Sequence, residues 1–455
     1  MRVATTTLFN ISTSGLQKHI SDQAKLQEQL SSGRKILTPA DDPIASARAL
    51  TIEQTASINA QYSTNSKTAD STLSLTEATI SQVVKVIQDV QFLTVQAGNP
   101  ALGSSEKKMI ATELEGRYAE LLGLANSRDG NGVYMFSGFQ GGTQPFSEVS
   151  FGAVTYNGDE GQRKIQISSG RQIPISENGS AIFQKIKNGN GTFATSAAAS
   201  NLGSGIVSPG EVLDPGKWAA APAPQDLSVQ FYWAANPAKP AEPTLSYDLI
   251  DNATGASLID GTANAATRTT GPRSYVPGGS IDFKQLPGET AVPAWDYGVR
   301  VAVTGTPVQV DPETKLPLGT PGPADAFGVA ASTNIDLFAT LGDFSEALNQ
   351  YTTDGSGMSQ SVFQNRINDV MLRLTNGLTN VLTSQASIGA RMKETESVQD
   401  TNEDLQLQYS KTLSGLRDLD YAQALSDFSQ NQLLLDATRQ SFSKVQSLSL
   451  FNYIG

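Results

Sequence analysis

The stretch PIASARALTIEQTASINAQYSTNSKTADSTLSLTEATISQVVKVIQDVQFLTVQA, residues 43–97, decides the fold. Within it Leu73, Thr76, Ile80, Val83, Ile87, Val90, Thr94 and Ala97 alternate by threes and fours. That is the repeat of a helix face packed along another helix. A single helix over these residues would be about 80 Å long at ~1.5 Å per residue, which suits a rod better than a globule. Just before it, Thr38-Pro39-Ala40-Asp41-Asp42-Pro43 marks a break and a new start. Asp41 or Asp42 can cap the free N–H groups, and Pro43 suits the first helical position, where no N–H is needed. Asn99-Pro100 ends the helix, and Ile110, Leu114, Leu121 and Ala125 predict a shorter return helix. Upstream, Leu16, Ile20, Gln23, Gln27 and Leu30 give a weaker helical seam.

The C-terminal arm repeats the pattern. Leu337, Leu341, Phe344, Leu348 and Tyr351 form a short seam, and the turn Asp354-Gly355-Ser356-Gly357 follows. A long seam then runs through Phe363, Ile367, Val370, Leu374, Gly377, Val381 and Ile388, and on through Val398, Leu405, Tyr409, Thr412, Leu416 and Leu419. Leu425, Phe428, Leu435, Phe442 and Val445 keep the end amphipathic.

Between the arms the period changes. Residues 1–200 hold five prolines, residues 201–330 hold sixteen and residues 331–455 none, and Trp218, Trp233 and Trp295 all lie in the middle. Proline is excluded from helix interiors. Val154–Tyr156, Lys164–Ile167, Leu227–Tyr232, Ser246–Ile250 and Tyr297–Val303 alternate or are β-rich. Turn signals at Asn157-Gly158-Asp159, Asn252–Gly255 and Pro277-Gly278-Gly279 separate them, as in antiparallel sheets. The expected fold class is α+β and multidomain, a long antiparallel coiled-coil bundle built from both chain ends with an inserted antiparallel β-sheet domain. The expected division is 1–42 with 420–455 as terminal coiled-coil segments, 43–145 with 333–419 as a helical rod, and 146–332 as the inserted domain. Isolated pairs of short helices are marginal in water, so the terminal segments are expected to order on partner helices. The predicted assembly interface is Leu16, Ile20, Leu30, Leu425, Phe428, Leu435, Phe442 and Phe451.

Composition excludes several chemistries. The 455 residues contain no cysteine and one histidine, His19. Disulfides, thiolate zinc sites, iron–sulfur clusters and multi-histidine metal sites are therefore out of reach. A net charge of −12 without a basic cluster leaves no electrostatic footprint for nucleic acid or anionic lipid. No apolar run reaches the roughly 18 residues that a membrane span needs. Met1–Asn10 lacks a continuous apolar core followed by a cleavage site, so a cleaved Sec signal is not expected. Asp41 and Asp42 read as caps rather than a catalytic or metal-binding pair. Asn157-Gly158-Asp159-Glu160-Gly161 reads as a tight turn rather than a calcium loop. His19 is assigned to solvent or subunit contact. Neither a phosphate loop nor a serine-hydrolase elbow is present in the right context. No cofactor, metal or enzymatic activity is expected.

Several of these segments resemble the flagellin superfamily, and within it the hook-associated branch. Leu30-Ser31-Ser32-Gly33-Arg34-Lys35-Ile36-Leu37-Thr38-Pro39-Ala40-Asp41-Asp42-Pro43 is similar to the family's N-terminal signature, carried by Gly33, Arg34, Asp41, Asp42 and Pro43. Proline after the double aspartate, where flagellin usually has alanine, resembles the junction branch. Gly132–Phe139, Tyr156–Asp159 and the tail Leu448–Gly455 resemble it too, and Ser280–Phe283 and Val301–Pro307 are similar to its β repeats. The resemblance implies a structural protein of the bacterial flagellum, outside the cell. It would leave the cell unfolded through the flagellar type III exporter with an export chaperone. It would then self-associate into a layer between the first hook-associated protein and the flagellin filament. The alternatives are a flagellin-type filament subunit and, from another class, a β-rich adhesin or glycan-binding fibre using Trp218, Trp233 and Trp295 as a stacking platform.

Overall fold

The computed structural model describes residues 5–223, 225–236, 238–239, 244–290, 293–311, 313–314, 316–352 and 358–447. Its helices are α1 (Thr5–Ser32), α2 (Pro43–Ala97), α3 (Ser104–Ala125), α4 (Gly179–Phe183), α5 (Pro215–Ala220), α6 (Leu337–Gln350), α7 (Gln360–Arg417) and α8 (Tyr421–Ser447). All strands of the described residues lie between Phe146 and Ile335. The fold is α+β, with long helices at both ends of the chain and an inserted antiparallel sheet domain. No helix of the described residues is long and apolar enough to cross a membrane. Two compact units result. One contains Met1–Asp70, Gln166–Ile173 and Glu394–Gly455, the other Ser71–Ile165 and Pro174–Lys393.

In the first unit α1 packs on α8, and the start of α2 lies against the end of α7. Here the inward residues of α2 are small or polar: Ala49, Ala56, Asn59, Ser66 and Ala69 are buried. Asn59 donates to Asn402 O at 2.6 Å, and Asn402 in turn donates to Ile167 O at 3.0 Å. That second bond fixes the tip of the hairpin formed by strands Lys164–Ser168 and Arg171–Pro174, whose Ile167 and Ile173 are fully buried. Asn65 Nδ2 adds a bond to Gln166 O at 2.7 Å, and Arg171 pairs with Glu394. The hairpin thus straps the two helices through side-chain bonds to its main chain.

In the second unit the seam of α2 is apolar. All eight residues from Leu73 to Ala97 that the spacing singles out are buried, none more than 1% exposed. Ile110, Leu114, Leu121 and Ala125 of α3 are buried, as are Leu337, Leu341, Phe344 and Leu348 of α6 and Phe363, Ile367, Val370, Leu374, Val381 and Ile388 of α7. Gly377 is there for space, since a Cβ at this position would come within 2.4 Å of Leu337 Cδ2. Phe146, Phe183 and Phe338 stack with centroids 5.4–6.0 Å apart. The predicted turn 354–357 lies outside the described residues.

The β-rich insert contains the five predicted strands, observed at Ala153–Tyr156, Lys164–Ser168, Asp226–Ala234, Thr244–Asp251 and Asp296–Thr304. Asp226–Ala234 lies between Thr244–Asp251 and Gly322–Ala331, with Phe193–Ala197 beyond the latter, all antiparallel. A second sheet sets Asp296–Thr304 between Ser280–Lys284 and Ile206–Val207. Their shared core includes Phe193, Trp218, Phe231, Phe283, Val301 and Phe327. Trp233 is buried too, and Trp295 packs at the edge of that core, with Arg273 over its ring at 5.7 Å. Three tryptophans used as packing leave no row of exposed rings on which a sugar could stack.

Candidate assembly surface at the chain ends

The segment between α1 and α2 is built from the signature residues. Gly33 closes α1 by donating to Gln29 O at 2.8 Å and adopts φ +67, where a Cβ would lie 2.9 Å from the Tyr421 hydroxyl. Glycine is the residue that takes this left-handed position without strain. The opposite break, between α7 and α8, lies beside it. Leu419 N donates to Gly33 O at 2.9 Å, Lys35 N to Arg417 O at 2.7 Å, and Arg34 faces Asp418 in an antiparallel bridge. Two helix joints are thereby tied into one. The two aspartates divide the labour left open by the sequence. Asp42 Oδ1 accepts from Ala45 N at 2.9 Å and caps α2, with Pro43 as its first residue. Asp41 instead accepts from Thr38 N and Leu37 N at 2.8 and 3.1 Å, and pairs with Lys25 Nζ at 2.6 Å. The Lys25 bond, then the Thr38 amide, hold its carboxyl down to about 2. Neither aspartate faces a metal-ligand cluster, and among the described residues no such cluster exists.

The pairing of α1 with α8 shifts the predicted seam. Half-buried Leu16, His19, Gln23, Leu26 and Leu30 line α1, in the 3,4 spacing. Ile20 and Gln27, read from the sequence as seam residues, point outward. The shift by one position follows from a polar contact across the pair. His19 Nδ1 lies 2.9 Å from Asn431 Oδ1, and Asn431 Nδ2 donates back to His19 O at 3.0 Å. A buried asparagine in a helix seam accepts some loss of stability in return for a fixed register. His19 is therefore an intrachain seam residue. On α8 the seam is Ala424, Phe428, Asn431, Leu435, Thr438 and Phe442, with Ala424 and Leu435 buried and Phe428 and Phe442 half-buried. Phe451 and the tail Leu448–Gly455 lie outside the described residues.

Two helices cannot cover all of their own apolar surface. Ile20 is 46% exposed and Leu425 54%, and Ile11, Leu433 and Leu434 are also exposed. Of the predicted interface residues, Ile20 and Leu425 are thus free for a partner. Leu16, Leu30, Phe428 and Phe442 are shared with the intrachain seam, and Leu435 belongs to it.

One set of positioning residues was missed by the sequence reading. In the second unit α7 projects amide and guanidinium groups onto main-chain carbonyls of the insert. Asn365 Nδ2 donates to Gly205 O at 2.8 Å while its Oδ1 accepts from Val207 N at 3.0 Å. Asn376 donates to Gly189 O at 2.8 Å, and Asn380 to Ala181 O and Ile182 O, both at 2.9 Å. Arg391 Nη1 donates to Pro174 O at 3.0 Å, and its Nη2 pairs with buried Glu177. The signal was available. Asn365 and Asn376, and Asn380 and Arg391, are each eleven residues apart, which returns to one helix face after three turns.

Residues 3–141 match the family model of the bacterial flagellin N-terminal helical region. The chain is also similar to hook-associated proteins. It is 36% identical over 186 residues to flagellar hook-associated protein 3 of Salmonella typhimurium, and 34% identical over 186 residues to that of Escherichia coli. Each alignment covers 41% of this chain and 58% of the relative, so the matched part spans just over half the length of these relatives. A crystal structure of flagellar hook associated protein-3 from Legionella pneumophila superimposes with a TM-score of 0.65 at 26% identity. It covers 80% of this chain and 98% of that one.

Proposed function

We propose that this chain is a non-enzymatic structural component of the bacterial flagellum that joins hook to filament. It is exported unfolded with a chaperone and orders into a layer between the first hook-associated protein and flagellin. Residues 1–42 and 420–455 assemble, 43–145 and 333–419 form the rod, and 146–332 face outward. The observation that carries this reading is the α1/α8 pair, which keeps its register through His19 and Asn431 and leaves Ile20 and Leu425 uncovered. Apolar side chains left uncovered on both helices of the pair support an interaction site there. Similarity to hook-associated protein 3 in sequence and fold supports the particular role.

Deleting the chain from its bacterium is expected to leave hooks without filaments and to release flagellin into the medium, as read by negative-stain microscopy and blotting. Normal filaments on the deletion strain would end the proposal. The second reading, a filament subunit, is favoured by the match to the flagellin N-terminal region. Abundance separates the two, since a filament subunit dominates sheared flagella and a junction protein is a trace component.

A further inference from the structure

We propose that a groove along α3 receives the outer face of α2 from a second copy of this chain, an inference that rests on the assembly reading above. The groove encloses about 500 Å³ and runs beside Tyr118, Ala119 and Gly123 under Phe151, with Glu115 and Glu148 at its edges. Its floor is low because Ala119 and Gly123 carry little or no side chain, and a Cβ at Gly123 would meet nothing within 4 Å. Tyr118, 3% exposed, lines it, and Phe151 stacks on the Tyr118 ring at 4.3 Å.

The matching knobs are on α2. Its inner face is sealed by the Leu73–Ala97 seam, yet on the opposite face Phe92 and Val95 are 70% and 66% exposed. Lys85 lies two turns before Phe92 on that same face and is exposed. An aromatic anchor entering a shallow pocket with a water-excluding rim is the usual form of an interface hot spot. The charges also agree, with the carboxylates of Glu115 and Glu148 lining the groove and the Lys85 ammonium two turns from Phe92. Knob and groove are different surfaces of one chain. The contact is therefore heterologous, and repetition gives a ring or a helical layer rather than a closed dimer. The absence of cysteine from the chain makes the test clean. One tagged copy carries Val95→Cys and a differently tagged copy carries Ala119→Cys, both produced in the same cells. Mild oxidation of sheared flagella is expected to give a disulfide-linked pair bearing both tags. Lys85→Glu on the first copy should lower its yield severalfold, and Glu115→Lys on the second should restore it. Flagella that contain both copies without the mixed pair would overturn the groove contact and leave the flagellar reading standing. Absence of the chain from flagella would overturn both.

Discussion

Replacing Arg391 by methionine should destabilise the second unit in a pH-dependent way. Glu177 is 7% exposed and pairs with Arg391, whose Nη1 also donates to Pro174 O. Methionine keeps most of the volume and removes the charge, leaving a buried carboxyl supported by Gln162 Nε2 at 3.2 Å. Removing one partner of a buried pair costs about 3–5 kcal/mol. The unit holds roughly 315 residues, and an unfolding entropy of about 2 cal/mol/K per residue turns that loss into a fall in Tm of about 5–8 °C. Burial already pushes the Glu177 carboxyl above its usual range, and Arg391 pulls it back. Without Arg391 the folded state holds a proton that the unfolded chain gives up near pH 4.3 or so, so folding loses stability as pH rises through the raised pKa. The loss should therefore be small at pH 5 and largest at pH 8. Glu177→Gln in the Arg391→Met background should remove the pH dependence. Urea melts followed by tryptophan fluorescence suit the purpose, since Trp218, Trp233 and Trp295 all belong to this unit. Equal losses at pH 5 and pH 8, or a loss below about 1 kcal/mol at both, would show that the pair is not the buried element described here.

Gly33→Val should destabilise the joint by more than the ~1 kcal/mol expected for strain at positive φ alone, because the new Cβ also meets the Tyr421 hydroxyl; thermal melts of Gly33→Val with and without Tyr421→Ala separate the two causes. Asn402→Ala leaves the buried Ile167 O without its partner and should cost about 1–3 kcal/mol, with faster amide exchange confined to residues 166–173; uniform exchange across both units would contradict the strap. Ile20→Asp with Leu425→Asp should leave the circular dichroism and melting of the free chain unchanged while excluding it from flagella, and a melted chain would place both residues inside the fold. The depressed Asp41 carboxyl contributes above the ordinary carboxyl range, and that contribution disappears as pH falls towards about 2; a carboxyl titration of labelled aspartate with a midpoint near the ordinary value would show the Lys25 contact to be open in solution.

The long helices were legible because a seam repeats by threes and fours. In α2 it runs over residues 73–97, carried by Leu, Ile and Val with Thr and Ala, and a cap and a proline at 42–43 punctuate the helix start. The strand Gly322–Ala331 was not legible. Its sequence, GPADAFGVAA, has small residues where alternation would be read, although Phe327 and Val329 are fully buried. The α1 seam was placed one residue off because Ile20 outranks His19 on any hydrophobicity count. What reverses the order is a polar bond to Asn431, more than 400 residues away, which no local window contains. The missed row on α7 has the same origin: asparagine in a helix reads as a solvated residue unless its partner carbonyls are in view.

That row also explains how a long, proline-rich insert can be attached to a helix without sharing its pattern. Asn365, Asn376, Asn380 and Arg391 bond to carbonyl oxygens of Gly205, Gly189, Ala181, Ile182 and Pro174. A carbonyl is present at every residue, so these contacts constrain the path of the insert and leave its side chains free. The side chains of its core are instead answerable to one another, as the packing of Phe231 on Tyr275 and Phe327 shows. Substitution of a core residue should therefore be absorbed or penalised inside the β sandwich, whereas substitution of an α7 asparagine should loosen the insert from its support while the sandwich keeps its own packing. The two kinds of change are separable by experiment. Asn380→Ala should speed amide exchange in residues 179–183, whose Ala181 and Ile182 carbonyls it frees, and leave the central strands Asp226–Ala234 and Gly322–Ala331 protected; loss of protection in those strands would mean that α7 holds the sandwich together rather than holding it in place.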